Sequence, residues 1–474
     1  MKTKVFWIAL LFLLTTTAGA KIKLPQLLSD NMVLQQETKV HLWGETTPNA
    51  TINVMGSWGK GGSAKADANG KWIVELQTPS ASYQTYHIHI NSSDGDAMKL
   101  NDILIGEVWF CSGQSNMEMP LNGFHNCPLD DSNNLIADAA NHPYIRVATI
   151  ARKGALEPQE YANGNWKEPN VKNAPDYSAT AYLYALALQR TLQVPVGVIN
   201  CSWGGTRVEG WMPKEILEKY SDVDLNKASS KDVPESAKPM IMYNGLLYPC
   251  INYTIKGFIW YQGCSNVGKA NTYAERMQAM VKQWRSLWKE GDIPFYYVEI
   301  APYAYDNPEG INAALLRESQ FKAQSLIPNS AMICTNDLVA PYEVVQIHPK
   351  NKKDVGERLA YQALNKTYNN KTIVADSPSF KDMKIDGKNA ILSFNNANQG
   401  FSPWKGITGF EVAGADKVFY PAEASLNIKD MTVVVTSDKV ANPVAVRYCF
   451  RNFQIGNLKN HRNLPLIPFR TDNW

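Results

Sequence analysis

The stretch Ile105-Gly-Glu-Val-Trp-Phe-Cys-Ser-Gly-Gln-Ser-Asn-Met117 decides the fold. Its first part, Ile105 to Phe110, is apolar apart from one glycine and one carboxylate, the pattern of a strand covered on both faces. Its second part breaks at Gly113 into the polar cluster Gly113-Gln114-Ser115-Asn116-Met117. A serine on a tight turn between strand and helix can hold its hydroxyl above a sheet, and a nearby glycine lets the chain make that turn. A lone serine in such a place equally serves as a helix N-cap. Four further runs read as buried strands: Val196 to Asn200, Phe258 to Tyr261, Phe295 to Ile300 and Ala331 to Cys334. Helical periodicity marks Ala179 to Gln193, Ala274 to Trp288 and Asp354 to Leu364. The expected fold class is therefore α/β, a three-layer core with a mainly parallel sheet, whose ligand site lies beyond the carboxyl ends of the strands.

On either side of this core, expected over 101–370, the pattern changes to short alternating segments. Lys39 to Trp43, Thr51 to Val54, Lys71 to Leu76 and Tyr86 to Ile90 predict an N-terminal antiparallel β domain over 21–100. Ala390 to Phe394, Thr432 to Thr436 and Val444 to Phe450 predict a C-terminal β segment over 371–474, either a second module or one packed with the first. Three units suit 474 residues at about 150 residues per domain. Hydrophobic residues make up 45% and charged residues 19%, which excludes a disordered chain. With 47 basic and 44 acidic residues the net charge is +3, too small a surplus for nucleic acid to be the principal partner.

Lys2 and Lys4, the apolar run Val5 to Leu14 and the small residues Ala18, Gly19 and Ala20 read as an export signal cleaved near Ala20. The apolar run is shorter than the 18 to 20 residues or so that span a bilayer, so no membrane insertion is expected and the mature protein is placed in the periplasm or outside the cell. The seven cysteines show no C-x-x-C spacing and an odd count, which predicts mostly buried thiols. His87 and His89 alternate on one strand without a third metal ligand nearby, so a solvated strand face is the expected reading.

Three other polar clusters follow predicted strands. Trp203-Gly204-Gly205-Thr206 carries paired glycines whose backbone N–H groups can approach developing negative charge. Tyr261-Gln262-Gly263-Cys264-Ser265-Asn266 carries an asparagine able to donate a side-chain N–H. Ile347-His348-Pro349 carries an imidazole ahead of a helix. Each alone has a bland reading as a turn, an Asx bond or a surface histidine. Together, serine, glycine, asparagine and histidine fall in that order, each in a loop beyond a strand of one sheet.

These blocks resemble those of the SGNH hydrolases, and more closely those of the sialate O-acetylesterase family. The resemblance covers nearly the whole chain: Leu28–Gln36 (LSDNMVLQQ), Val108–Met117 (VWFCSGQSNM), Trp203–Thr206 (WGGT), Ile347–Lys352 (IHPKNK) and Val355–Leu359 (VGERL). It implies an SGNH-hydrolase core and an esterase that removes acetyl groups from sugar hydroxyls, most of all 9-O-acetylated sialic acids, without metal or organic cofactor. It further implies Ser115 as nucleophile, His348 as base, and an oxyanion held by the N–H groups of Ser115 and Gly205 (or Gly204) and the Asn266 amide. The same loops would serve a deacetylase of xylan or pectin, or a carbohydrate-binding protein that has lost catalysis.

Two positions depart from the family. An acid commonly stands two residues before the histidine, where this chain has Gln346; Glu343 is the nearest upstream carboxylate and Asp337 lies further off. A serine–histidine dyad oriented by the Gln346 side chain or a backbone oxygen, with Glu343 as the alternative, is the expectation. Cys264 stands where glutamate is frequent, and loop support rather than nucleophilic attack is expected of it. For the sugar, Trp203, Tyr261, Gln114 and Gln262 are expected as contacts, and Arg207 as a bidentate partner for a sugar carboxylate, unless it pairs with Glu209.

Overall fold

The structure, a computed structural model, describes residues 21–474; the proposed export signal lies outside them. The central strand β1 runs over Ala97–Gly113. It is followed by β2 (Ile145–Thr149), β3 (Val196–Ser202), β4 (Gly257–Tyr261), β5 (Phe295–Val298) and β6 (Ser330–Ile333). These six form a parallel sheet in the order β6-β5-β4-β1-β3-β2, extended by the antiparallel pair Trp166–Lys167 beside β2. The helices that cover it are α2 (Ala179–Leu192), α3 (Ala270–Trp288), α4 (Asn312–Leu326) and α5 (Lys353–Gln362), while a single turn, α1 (Ser115–Glu118), follows β1.

Alternation along β1 explains the three layers. Val108 and Phe110 point into one core, with Phe258, Trp260, Trp284 and Trp288, beneath α3 and α4. Trp109 and Cys111 point into the other, with Ile259, Tyr296, Val298 and Leu359, beneath α2 and α5. Trp109 is clasped there between Tyr184 and Tyr296, with ring centroids 5.4 and 5.9 Å away. Close approach of α5 to α2 requires Gly356, because a Cβ there would lie 2.8 Å from the Leu183 Cβ and the Tyr184 nitrogen. That gives the VGERL block a packing reason.

β1 is longer than its apolar stretch suggests and serves two sheets. Its first half pairs antiparallel with Ser82–Ser92 and parallel with Val33–Gln35, and its second half is the centre of the parallel sheet. Position 101, where the sequence changes character, therefore lies within one continuous strand. The other N-terminal strands form antiparallel pairs, Lys39–Glu45 with Lys71–Gln77 and Thr51–Gly56 with Lys60–Lys65.

The C-terminal segment is built from two four-stranded antiparallel sheets and a two-stranded pair, Phe401–Ser402 with Lys459–Asn460, around one core that includes Leu392, Val412, Val433 and Val446. Its polar ties to the preceding chain run to α4 and the loops around it rather than to the N-terminal strands. Arg470 pairs with Glu318, the Asn452 Oδ1 accepts from the Ala313 N–H, and Lys459 pairs with Asp337. Among the parallel strands of the α/β core and the long helices that cover it, two are unforeseen in the sequence, β2 and α4; β2 is five residues long with Arg146 inside it, and the apolar positions of α4 are diluted by Arg317, Glu318 and Gln320.

Candidate active site

The chain enters the sheet at β1, moves out to β2, returns to β3 on one side of β1 and then crosses to β4 on the other. The carboxyl end of β1 is thus the switch point of the sheet, where loops diverge and leave a crevice. Gly113 makes the bend there: its φ is +139° and a Cβ would lie 2.2 Å from the Tyr261 carbonyl oxygen, so only glycine fits. Ser115 follows as the first residue of α1 and is half-buried.

The His348 Nε2 lies 2.8 Å from the Ser115 Oγ, across 233 positions of sequence. The loop carrying His348 is fastened beneath the imidazole. Asn116 donates from Nδ2 to the Ile347 carbonyl at 3.0 Å, while its Oδ1 accepts from the Lys352 Nζ at 2.9 Å. Lys352 also donates to the Pro349 carbonyl at 2.5 Å. Its ammonium is buried, and burial brings its pKa down to about 7, with the Glu343 charge opposing that fall. Burial, followed by repulsion from Lys352, pulls His348 down to about 4. The ring is therefore neutral through the whole neutral range, with one of its two nitrogens free to accept a proton.

The glycine loop packs directly on the serine. A Cβ at Gly204 would lie 3.3 Å from the Ser115 Cβ. The Gly204 N–H donates to Glu118 Oε2 at 2.7 Å, so that donor is spoken for. The N–H groups of Ser115 and Gly205, by contrast, have no acceptor among the described residues. Asn266 is buried; its Oδ1 accepts from the Val208 N–H at 3.0 Å and from Gln262 Nε2 at 2.8 Å. Its Nδ2 donates one hydrogen to Glu209 Oε2 at 3.0 Å, and Glu209 is in turn paired with Arg276.

Four of the expected contacts have other surroundings. Gln114, Tyr261 and Gln262 are buried and support loops instead of facing a ligand. Gln114 Oε1 accepts from the Gly263 N–H at 2.9 Å, tying the first loop to the third, and Gln262 Nε2 donates to the Thr206 carbonyl at 3.0 Å, tying the third to the second. Tyr261 belongs to the core beneath β1. Trp203 is half-buried, with the Arg152 guanidinium 6.0 Å from its ring centre. Arg207 is exposed and, among the described residues, has no ion pair; Glu209 is engaged by Arg276 instead.

Neither candidate for orienting the imidazole touches its ring. Glu343 is buried with both oxygens occupied by the backbone, accepting from the Ala340 N–H at 2.7 Å and the Lys350 N–H at 3.2 Å. Gln346 Oε1 accepts from the backbone N–H of His348 at 3.3 Å. Asp337 is bound to Arg358 through two contacts of 2.7 Å. The atom 3.7 Å from His348 Nδ1 is the sulfur of Cys127, for which the sequence offered no signal. Glu118 and Arg152 were also unforeseen; they pair with each other beside Gly204. Only the place of Glu118, three residues after Ser115, hinted at its position. Cys264 is buried, and burial pushes its thiol up to about 11, which suits a supporting residue.

A parallel sheet with serine, glycine, asparagine and histidine loops converging at its switch point defines the class, an SGNH-type hydrolase. Residues 105–365 match the carbohydrate esterase, sialic acid-specific acetylesterase family. Sialate O-acetylesterases of Pongo abelii and Homo sapiens are 25% identical over 473 residues and 26% identical over 415. Those alignments cover 92% and 81% of this chain and 88% and 78% of the relatives. The crystal structure of a carbohydrate acetylesterase from Xanthomonas citri superimposes with a TM-score of 0.85 at 35% identity, covering 96% of this chain and 100% of that one. The chain belongs to the sialic acid-specific acetylesterase family of carbohydrate esterases, and it is a carboxylic-ester hydrolase acting as an acetylesterase.

Proposed function

We propose that the protein hydrolyses O-acetyl esters of acidic sugars, 9-O-acetylated sialic acids foremost, through an acetyl-serine intermediate. The observation that carries the serine mechanism is the 2.8 Å contact between Ser115 Oγ and an imidazole held neutral. A serine hydroxyl is a poor nucleophile until such a neighbour takes its proton. Oγ bonds to the acetyl carbon as its proton passes to Nε2, and the carbonyl electron pair moves onto oxygen. The N–H groups of Ser115 and Gly205, acceptor-free among the described residues, with the remaining Nδ2 hydrogen of Asn266, are suited to receive that oxyanion. Breakdown releases the sugar alcohol, which takes the proton from Nε2. Water, deprotonated by the same imidazole, then attacks the acetyl-enzyme and frees acetate.

The preference for an acidic sugar is supported by Arg207, an exposed guanidinium on the second loop without a partner among the described residues, in a form that can bind a carboxylate through two N–H groups. The export signal at 1–20 agrees with a glycan substrate met in the periplasm or beyond it. The test is acetate release from a panel of O-acetylated sialic acids and acetylated xylan, by the parent enzyme and by Ser115→Ala. The expected result is turnover of the sialic acid esters that disappears in the variant. Turnover that survives in Ser115→Ala would overturn the serine mechanism, and preference for xylan would overturn the acidic substrate.

A further inference from the structure

We infer that Cys127 is the positioning residue of His348, its sulfur taking the place an orienting carboxylate would hold. The inference rests on the serine-esterase reading above. It starts from the short turn Phe124–Cys127, closed by backbone bonds in both directions, the Phe124 N–H to the Cys127 carbonyl at 3.0 Å and the Cys127 N–H to the Phe124 carbonyl at 2.9 Å. The turn is clamped onto the histidine loop. Gln346 Nε2 donates to the Asn126 carbonyl at 3.2 Å, the Asp130 N–H donates to the Lys350 carbonyl at 3.1 Å, and Lys350 pairs with Asp130 at 3.0 Å. The Phe124 ring meets the imidazole edge to face, 5.1 Å between centres.

Hydrogen-bond direction then fixes the tautomer. Because Gln346 Nε2 faces a carbonyl, its Oε1 is the atom turned toward Cys127, 3.2 Å from the sulfur. Two acceptors cannot share that contact, so the thiol hydrogen points at Gln346. The sulfur lone pairs are left for the His348 Nδ1, which must carry the ring hydrogen. Nε2 is then the bare nitrogen facing Ser115. Glu343 and Asp337, the carboxylates nearby in sequence, are held by other partners and leave this place to the thiol. Cys127 is also the one half-buried cysteine among the described residues, the other six being buried.

Sulfur accepts weakly and, as a neutral thiol, does little for the imidazolium that forms during the reaction. The charged and titratable groups around the ring are Ser115, Cys127 and Lys352, with Glu343 and the Lys350–Asp130 pair behind the loop. An anion at position 127 would therefore be the only negative group against Nδ1, and it would change when His348 protonates.

The experiment measures kcat and KM for p-nitrophenyl acetate across pH for the parent, Cys127→Ala, Cys127→Ser and Cys127→Asp. Loss of tautomer control should lower kcat in Cys127→Ala by roughly 10- to 100-fold with little change in KM, less than the ~10⁴ that a charged orienting residue can supply. Cys127→Ser, which can still accept from Nδ1 and donate to Gln346, should retain most of the rate. Cys127→Asp should shift the acidic limb of kcat/KM upward. A kcat in Cys127→Ala equal to the parent's, or an acidic limb unmoved in Cys127→Asp, would overturn the inference. Should the alanine variant fail to fold, the aspartate limb alone decides. A parent without Ser115-dependent turnover would instead overturn the esterase mechanism itself.

Discussion

The two ends of the parallel part of β1 are both polar, and they are polar in opposite ways. At the amino end the carboxylate of Glu107 is enclosed by donors: Gln35 at 3.1 Å, Gln36 at 2.6 Å and the Tyr368 hydroxyl at 2.7 Å. Tyr368 receives in turn the Trp109 indole N–H at 3.1 Å. Every group there is answered by another, so the cluster joins the N-terminal segment, the central strand and the chain after α5. At the carboxyl end, among the described residues, Ser115 has one side-chain partner, His348, and two neighbouring backbone N–H groups are left without acceptors. A satisfied polar network stabilises a fold, whereas an unsatisfied but rigidly held one is ready to bind something that arrives. The same strand carries both because its ends meet different loops.

Separate mutations should divide the two roles cleanly. Ser115→Ala is expected to cost at least about 10³ in kcat while leaving the melting temperature near the parent's. Glu107→Ala strands several buried donors and is expected to lower unfolding free energy by about 2–4 kcal/mol, with kcat of the folded protein little changed. Denaturant unfolding and steady-state kinetics on both variants check this. A large loss of kcat in folded Glu107→Ala would break the contrast between the two ends.

The pH profile sharpens it. With His348 at about 4, the acidic limb of kcat/KM is expected near pH 4 rather than near the ordinary histidine value of 6.5. Lys352→Met removes the cation that disfavours imidazolium, so its limb should move upward. The same displacement has a stability consequence. Between about pH 4 and 6.5 the unfolded chain binds a proton at this residue that the folded chain does not, so stability falls as pH drops through that window. Chemical denaturation in buffers spanning it measures the slope.

The smallest effect is expected at the rim of the site. Arg207→Ala should raise KM for an O-acetylated sialic acid by about fivefold, the scale of an exposed charge pair worth ~1 kcal/mol, and leave a neutral acetylated sugar unaffected. Equal changes for both substrates would show that the guanidinium does not read the sugar's charge.

Much of this molecule was legible before any coordinates. The apolar runs marked five of the six parallel strands, because a strand buried on both faces reads as a nearly continuous apolar run. The proposed site residues Ser115, Gly205, Asn266 and His348 stood out for another reason: they occupy loops that follow those strands. What was misread shares a cause as well. Gln114 and Gln262 look like ligand contacts in a linear reading, being polar and next to reactive residues. In three dimensions they face backbone groups of neighbouring loops that would otherwise be buried without partners.

The sequence by itself determined the alternation of β1 between two cores, the α/β class, and the four polar loops proposed to carry the chemistry, since periodicity and turn chemistry are local properties. Tertiary structure alone decided the strand order that brings Ser115 to His348, the capture of Glu343 by backbone amides, and the placing of a thiol from the loop after α1 against the imidazole. Those outcomes depend on which distant segments meet, and that is set by packing over the whole core rather than by any neighbour in the chain.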